Sequence, residues 1–372
     1  MSPRVRWLAA GAVVAVAGSA AATLLVTVGG GSAHSEAPPR CPNPRTLHVV
    51  ASPVIAAAVS TVGSSWAGHD AAARTRCVHV SVDAVADAQA EAALASGTDR
   101  TTTLWIPDSS IWAQRLQTDL VSQGATSPGV RLGSSVASSP LVFVAPSGAK
   151  NPVDTAALSR TSFAIPDPDT SSEGVLALQL LGLSGRPVAQ QIAPMVHLAD
   201  ETIDGPDGGF AGLISGKPFL ASEQDVILHN RAAGRAYATA MYPADRLPGL
   251  DFPAVQLTRP GEHAQLAADS VALADTLASS KARSALAGLG LRDAAGRPIS
   301  RDNITRPVQL LRPPTSGETA SLLRLWSAAT EESHTLVVID VSGSMGDDAG
   351  NGQSKIALAA AAATAAEAYF PN

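Results

Sequence analysis

The chain has 372 residues, enough for two or three domains that each bury a core of their own. Its 26 Lys and Arg against 32 Asp and Glu give a formal net charge of -6, and no long basic run follows the first few residues, which argues against a nucleic-acid partner. Apolar residues make up 45% of the chain and aromatics 4%, a composition that excludes a disordered chain and predicts aliphatic cores.

Arg4 and Arg6 precede an uncharged stretch from Trp7 to about Gly30. As a helix rising ~1.5 Å per residue it is long enough for a bilayer core of ~30 Å, and the arginines would hold that end in the cytoplasm. Residues 1–33 are thus expected to be a cytoplasmic end plus a transmembrane anchor or a signal peptide. The apolar run exceeds the ~7–15 residues of a cleaved signal, whereas Gly31-Ser32-Ala33 ends in small residues that suit a peptidase, so both readings stay open. Lipoprotein attachment is disfavoured, because Cys41 follows Pro38-Pro39-Arg40. The expected location is the cell membrane, single-pass with the bulk of the chain extracytoplasmic, or secreted if the leader is cleaved.

Cys41 and Cys77 are the only 2 cysteines. Outside the cytoplasm such a count favours one disulfide, worth ~3–4 kcal/mol by loop entropy; two buried free thiols are the alternative. Zinc is disfavoured, since no further Cys or His set completes a tetrahedral site.

Gly31 to Arg45 is rich in Pro, Ser and Gly, and residues 34–45 read as a tether. From 46 to 301, strand candidates (Leu47 to Ala51, Cys77 to Val82, Thr103 to Ile106, Pro140 to Ala145, Ser162 to Ile165, Arg235 to Met241, Ala254 to Leu257) alternate with helical stretches (Val54 to Trp66, Ala84 to Ser96, Ser110 to Gln117, Gly174 to Leu183, His263 to Gly288). That alternation predicts an α/β fold with a mainly parallel sheet, in two lobes because the length exceeds one comfortable core. Residues 302–333, with Pro307, Pro313, Pro314 and Gly317, read as a linker with a short helix at Ser321 to Trp326.

In an open α/β sheet, polar groups just after the strands line the ligand crevice. Ser52, Asp108-Ser109 and Ser171-Ser172 hold such positions. Thr170 to Glu173 has the spacing of a capping box, with Thr170 as N-cap, which either only caps a helix or also offers its N-terminus to an anion. Ser222 to Asp225 likewise suits a helix start. Trp105 and Trp112 flank Asp108 as cleft walls or as core.

Leu104 to Trp112, Ser138 to Val142, Asp167 to Gly174, Ser222 to Val226 and Leu250 to Pro253 together resemble, in their order and spacing, the solute-binding half of bacterial surface proteins of an actinobacterial type. In these proteins a solute-binding-protein-like domain is paired with a von Willebrand factor A (VWA) domain. The resemblance implies a two-lobed, periplasmic-binding-protein-like (type II) domain with a cleft and no catalysis. The ligand contacts it suggests are Ser52, Asp108, Ser109, Ser139, Ser171, Ser172 and Glu223.

Residues 334–372 open with His334 to Met345, an apolar strand that delivers Asp340 ahead of Ser342 and Ser344. This resembles the DxSxS pattern of the VWA metal-ion-dependent adhesion site, and hard oxygen ligands of this kind suit magnesium or another divalent cation. The resemblance also calls for a Thr and an Asp from two later loops. The sequence ends at Asn372, after a helix expected from Lys355 to Tyr369, so the first strand and helix of a Rossmann-like VWA domain are expected, with an incomplete, weak metal site.

The reading is a membrane-anchored extracytoplasmic binding protein that takes an unknown small solute or protein partner in its interlobe cleft, with the VWA segment as adhesion module. A structural or partner-binding envelope protein without a small ligand is the alternative. A secreted serine hydrolase is disfavoured, because no G-x-S-x-G turn is present.

Overall fold

A computed structural model describes residues 41, 44–149, 163–182, 185–199, 201–261, 264–303, 307–330, 338–350 and 352–367. The expected anchor or signal peptide lies outside them. Among the described residues, no helix is long and apolar enough to cross a membrane.

β1 (Arg45–Ala51) buries Leu47, Val49 and Ala51 completely by strand alternation. It pairs in parallel with β2 (Val78–Ala84) and β3 (Leu104–Ile106). β12 (Pro253–Thr258) runs antiparallel between β3 and β4 (Gly129–Ser135), giving the order β2-β1-β3-β12-β4. On one face of this sheet Val50, Trp105 and Val255 pack with α3 (Asp87–Ala95) and α4 (Ser110–Ser122). Leu47 and Val49 share the other core with α1 (Ala56–His69), α9 (Ala264–Leu277) and α10 (Arg283–Gly288). A disulfide with an S–S distance of 2.09 Å joins Cys41 to Cys77, just before β2, and the short α2 (Ala71–Thr75) precedes it.

The second lobe centres on β5 (Ser139–Pro146), which pairs antiparallel with β8 (Phe219–Ser222), β9 (Ala238–Met241) and β11 (Gly249–Leu250). α5 (Ser172–Leu180), α6 (Ile192–Ala199), α7 (Gly205–Leu213) and α8 (Glu223–Ala232) belong to this lobe. Two short parallel pairs complete the pattern, β6 (Ile165–Pro166) with β7 (Thr202–Ile203) and β10 (Arg246–Leu247) with β13 (Gln309–Leu310).

The first sheet is therefore mixed and the sheet around β5 antiparallel, which corrects the expectation of a mainly parallel sheet. The chain passes between lobes at 136–138 and 251–252, where Val136 N donates to Phe252 O at 3.0 Å, and returns to the second lobe after α10, where Arg292 meets Glu223 and β13 pairs with β10. β12 enters the first sheet from the second lobe and so runs against its neighbours. Phe252 is fully buried with a φ of 38°, a left-handed backbone that bulky side chains rarely adopt.

The stretch read as a linker holds a longer helix than expected, α11 (Ser316–Thr330). Thr315 and Glu318 form a capping box ahead of it, Thr315 N donating to Glu318 Oε2 at 2.7 Å and Glu318 N to Thr315 Oγ1 at 3.3 Å. Its apolar stripe, Leu322, Trp326 and Ala329, is buried. α11 packs on α4 of the first lobe and on α5 and α6 of the second. Just before it, Gln114 Nε2 donates to Pro314 O at 3.3 Å and Gln179 Nε2 to Arg312 O at 2.8 Å, so this segment too is held by both lobes.

Candidate functional site

The site lies where the N-termini of α4, α5 and α8 meet the end of β1. Ser109 caps α4, its Oγ accepting from Ile111 N at 3.3 Å, and Asp251 Oδ1 accepts from Ser110 N at 2.8 Å. The expected N-cap Thr170 is displaced by its neighbour: Ser171 Oγ accepts from Glu173 N at 3.1 Å and α5 begins one residue later. The cause is a turn on Asp167, whose Oδ1 accepts from Asp169 N at 3.0 Å and whose carbonyl accepts from Ser171 N at 2.9 Å. Glu173 consequently does not reach back to its cap; its Oε1 accepts from Ser222 N at 2.9 Å, in the other strand-to-helix turn. Ser222 and Asp225 do form a capping box on α8. Gly174 lets α5 sit this close, because a Cβ there would meet Pro166 O at 2.4 Å and Pro168 Cα at 2.6 Å.

Several hydrogen bonds cross between lobes. Ser172 Oγ donates to Asp108 Oδ1 at 2.6 Å, and Gln224 Nε2 donates to Val54 O at 2.7 Å. Asp108 Oδ1 also accepts from Trp112 Nε1 at 3.0 Å, while Asp108 N approaches Asp87 Oδ2 at 3.4 Å. Beside Trp112 and Ser172, the two side chains that donate to Asp108, lies a mostly apolar cavity of about 250 Å³. Ile111, Trp112 and Arg115 of α4 line it from the first lobe, Ser171, Ser172 and Val175 from the second, and Thr319 and Leu323 of α11 cover it. Arg115 stacks over the Trp112 ring at 5.6 Å.

Electrostatically the seam is acidic. Burial, then the Asp108 charge, pushes Asp87 up to about 9; burial raises Asp108 to about 6, with Ser172 and Trp112 donating in opposition and Asp251 and Asp225 adding repulsion. Burial also raises Asp225 and Asp251, and it holds Glu173 well above the usual carboxylate range, with Asp225 adding to the effect. Asp87 and Asp108 titrate as an interacting pair.

The suggested ligand residues thus divide. Ser171 and Ser172 line the cavity, Asp108 accepts hydrogen bonds from two of its lining residues without lining it, and Ser109 is buried as a cap. Ser52 hydrogen-bonds Asp87, and Ser139 Oγ accepts from Gln224 N at 3.0 Å. Glu223 is enclosed in an ion pair, its oxygens accepting from Arg292 Nε at 2.6 Å and Nη2 at 2.7 Å, with Tyr242 Oη and Asn303 Nδ2 also donating. Of the two tryptophans, Trp112 lines the cavity and Trp105 is fully buried core. Sequence reasoning missed Asp87, Arg115, Asp251 and Arg292. Asp87 carried a signal, an acid in the first turn of an expected helix after a strand.

In the C-terminal segment, Asp340 Oδ1 accepts from Ser342 N at 2.8 Å and Oδ2 from Ser342 Oγ at 3.0 Å; Ser342 Oγ and Ser344 Oγ stand 3.2 Å apart. The three side chains are brought together on an exposed turn, but one carboxylate with two hydroxyls is a thin donor set. Among the described residues, no group of three or more His, Cys, Asp or Glu is arranged to hold a metal. Most of the strand expected before Asp340 lies outside the described residues, and the helix expected from Lys355 is α12 (Lys355–Glu367).

A family model described as bacterial extracellular solute-binding protein matches residues 47–292, and the chain belongs to that family. Membership places the folded region outside the cytoplasm. A periplasmic thiamin binding protein shares the fold with a TM-score of 0.54 at 13% identity, over 78% of this chain and 97% of that one. AfuA of Actinobacillus pleuropneumoniae, with fructose-6-phosphate bound, gives 0.54 at 12% identity over 76% and 98%. Iron-bound HitA of Pseudomonas aeruginosa gives 0.53 at 12% over 77% and 99%. These are solute-binding proteins rather than enzymes, and at such identities they establish the two-lobed α/β fold alone. No curated protein matches the chain.

Proposed function

We propose that this chain captures a small solute in the cleft between its lobes, outside the cytoplasm, and presents it to a membrane partner such as a transporter. The observation that carries the reading is the cavity beside Trp112, walled by α4 from one lobe and by the start of α5 from the other. Ligands of periplasmic-binding-protein folds close such lobes by hinge motion. The test is thermal denaturation with a panel spanning thiamin, sugar phosphates, ferric citrate and molybdate. A true solute at ~100 times its Kd adds about 2.7 kcal/mol of stability; a panel without any shift counts against solute capture.

A second reading is favoured by a specific observation. The lobes are already joined by Ser172 to Asp108, by Gln224 to Val54 and by α11, so closure needs no ligand. A structural or partner-binding envelope protein would use the fold in that state, and only the first reading expects solute-dependent stabilisation.

The N-terminal stretch is proposed as a membrane tether, because its apolar length matches a bilayer core. The segment from 334 is proposed as a VWA-type adhesion module that binds Mg²⁺ weakly through Asp340, Ser342 and Ser344, supported by the convergence of their oxygens. Titration with Mg²⁺ should show weak binding that Asp340→Ala removes; tight binding that survives Asp340→Ala overturns the assignment.

A further inference from the structure

We infer that residues 312–323, the approach to α11 and its first half, are a latch: they hold the two lobes shut without a solute, and on opening they come away from the first lobe while the second keeps them. The inference concerns closure alone and stands whether or not the cleft takes a solute.

Two glutamines, one from each lobe, grip the approach. Gln114 of α4 spends both ends of its amide there, Nε2 donating to Pro314 O at 3.3 Å and Oε1 accepting from Ser316 Oγ at 3.4 Å. Gln179 of α5 donates from Nε2 to Arg312 O at 2.8 Å. Positions a few residues apart on one segment are thus bonded to opposite halves of the fold, and the lobes cannot part with both sets of bonds made. The segment itself is fixed by the capping box of Thr315 and Glu318, and Arg312 Nη2 donates to both Glu318 oxygens at 3.2 and 3.1 Å.

The two attachments differ in kind. On the second lobe, α11 packs chiefly on α6, its stripe of Leu322, Trp326 and Ala329 is buried, and Trp326 hydrogen-bonds Asp169 in the turn before α5. Burial of large apolar side chains is a strong source of attachment. At about 100° per residue, the face made by Ser316, Thr319, Ala320 and Leu323 lies about a quarter-turn round the helix from that stripe. It shares the cavity with Ile111, Trp112 and Arg115 of α4, so about 250 Å³ of open space stands where close packing would otherwise join helix to helix. Three of its four residues are small or polar, and the buried Thr319 Oγ1 finds no hydrogen-bond partner among the described residues. A hollow contact that leaves a hydroxyl unmet adds little to the closed state. The hold on the first lobe therefore falls largely to Gln114, and that is the side released.

The test measures the distance between spin labels at exposed positions of the two lobes, Gln123→Cys in the first and Ser215→Cys in the second. It uses the full chain with the Cys41–Cys77 disulfide intact, refolded from denaturant so that no solute is carried over. With the latch unaltered, the chain should give one distance, that of the closed lobes. Gln114→Ala combined with Leu323→Ala should add a longer distance and raise the ratio of open to closed at least ~tenfold, although Ser172 to Asp108 and Gln224 to Val54 O still cross the seam. Gln179→Ala should leave the lobes closed, because α6 and Asp169 keep α11 on the second lobe. A chain that is mainly open with the latch unaltered overturns the inference, as does a Gln114→Ala, Leu323→Ala chain that stays wholly closed. Equal opening by Gln179→Ala overturns the first lobe as the side released. The measurement on the unaltered latch needs neither glutamine variant, so it decides even where one of them fails to fold.

Discussion

Arg292 and Glu223 are 0% and 1% exposed, and two short hydrogen bonds, 2.6 and 2.7 Å, join them beneath the second lobe's first turn of α8. Arg292→Leu keeps an apolar stem there but leaves the Glu223 carboxylate buried with only Tyr242 and Asn303 donating to it. It also frees Gly296 O, which Arg292 Nη1 holds at 3.0 Å. Breaking a buried pair from one side typically costs ~3–5 kcal/mol, because the remaining charge stays desolvated. At roughly 2 °C or more per kcal/mol for a domain of this size, the melting temperature should fall by about 6 °C or more. Circular dichroism melting of four proteins, the unaltered chain, Arg292→Leu, Glu223→Gln and the double variant, forms a cycle. The double variant should recover at least half of the loss, since the uncompensated charge is gone. An Arg292→Leu variant that melts within about a degree of the unaltered chain would refute the reasoning, as would a double variant whose losses simply add.

Three further outcomes are expected. Asp108 and Asp87 titrate near 6 and 9 in the fold against ~3.9 when unfolded. Above the unfolded value the folded state therefore binds more protons, so stability is highest in acid and falls as pH rises from about 4 towards 9; Asp87→Asn should flatten the fall above pH 6, and a melting temperature that rises over that range contradicts the assignment. Trp326→Ala empties a site 2% exposed that bears on both lobes, at a cost of ~3–5 kcal/mol read by urea unfolding; a loss below ~1 kcal/mol would mean that α11 is only loosely attached. Gly174→Ala places a methyl against the backbone of Pro166 and Pro168, and should cost ~1–3 kcal/mol by chemical denaturation, whereas Gly68→Ala, with open space around it and no left-handed backbone, should show no such loss.

What the sequence disclosed was local. β1, β3 and β5 were legible as apolar runs, and α4 as the helical stretch that starts at Ser110. Strands of two to four residues such as β6, β10 and β11 have too few positions to show a period. α11 read as linker because prolines precede it; its capping box at Thr315 to Glu318 was present but unread. In the site, Asp108 was legible as a polar residue after a strand. Its partners were not, since Ser172 is 64 residues away and Asp251 bonds a backbone group 141 residues away. Likewise Glu223 looked like a ligand group until Arg292, 69 residues on, was placed against it.

The position of α11 gives the chain a mechanical property. It follows the family-matched region, which ends at 292, and it grips α4 on one lobe and α6 on the other. A helix fastened to both halves of a hinge cannot stay in place when they part. It must let go of one, and the half that it keeps carries the polypeptide beyond Thr330 with it. In the proposed solute cycle, opening of the cleft would thereby be felt at the C-terminal end of α11, and a load applied there would be felt in return at the hinge.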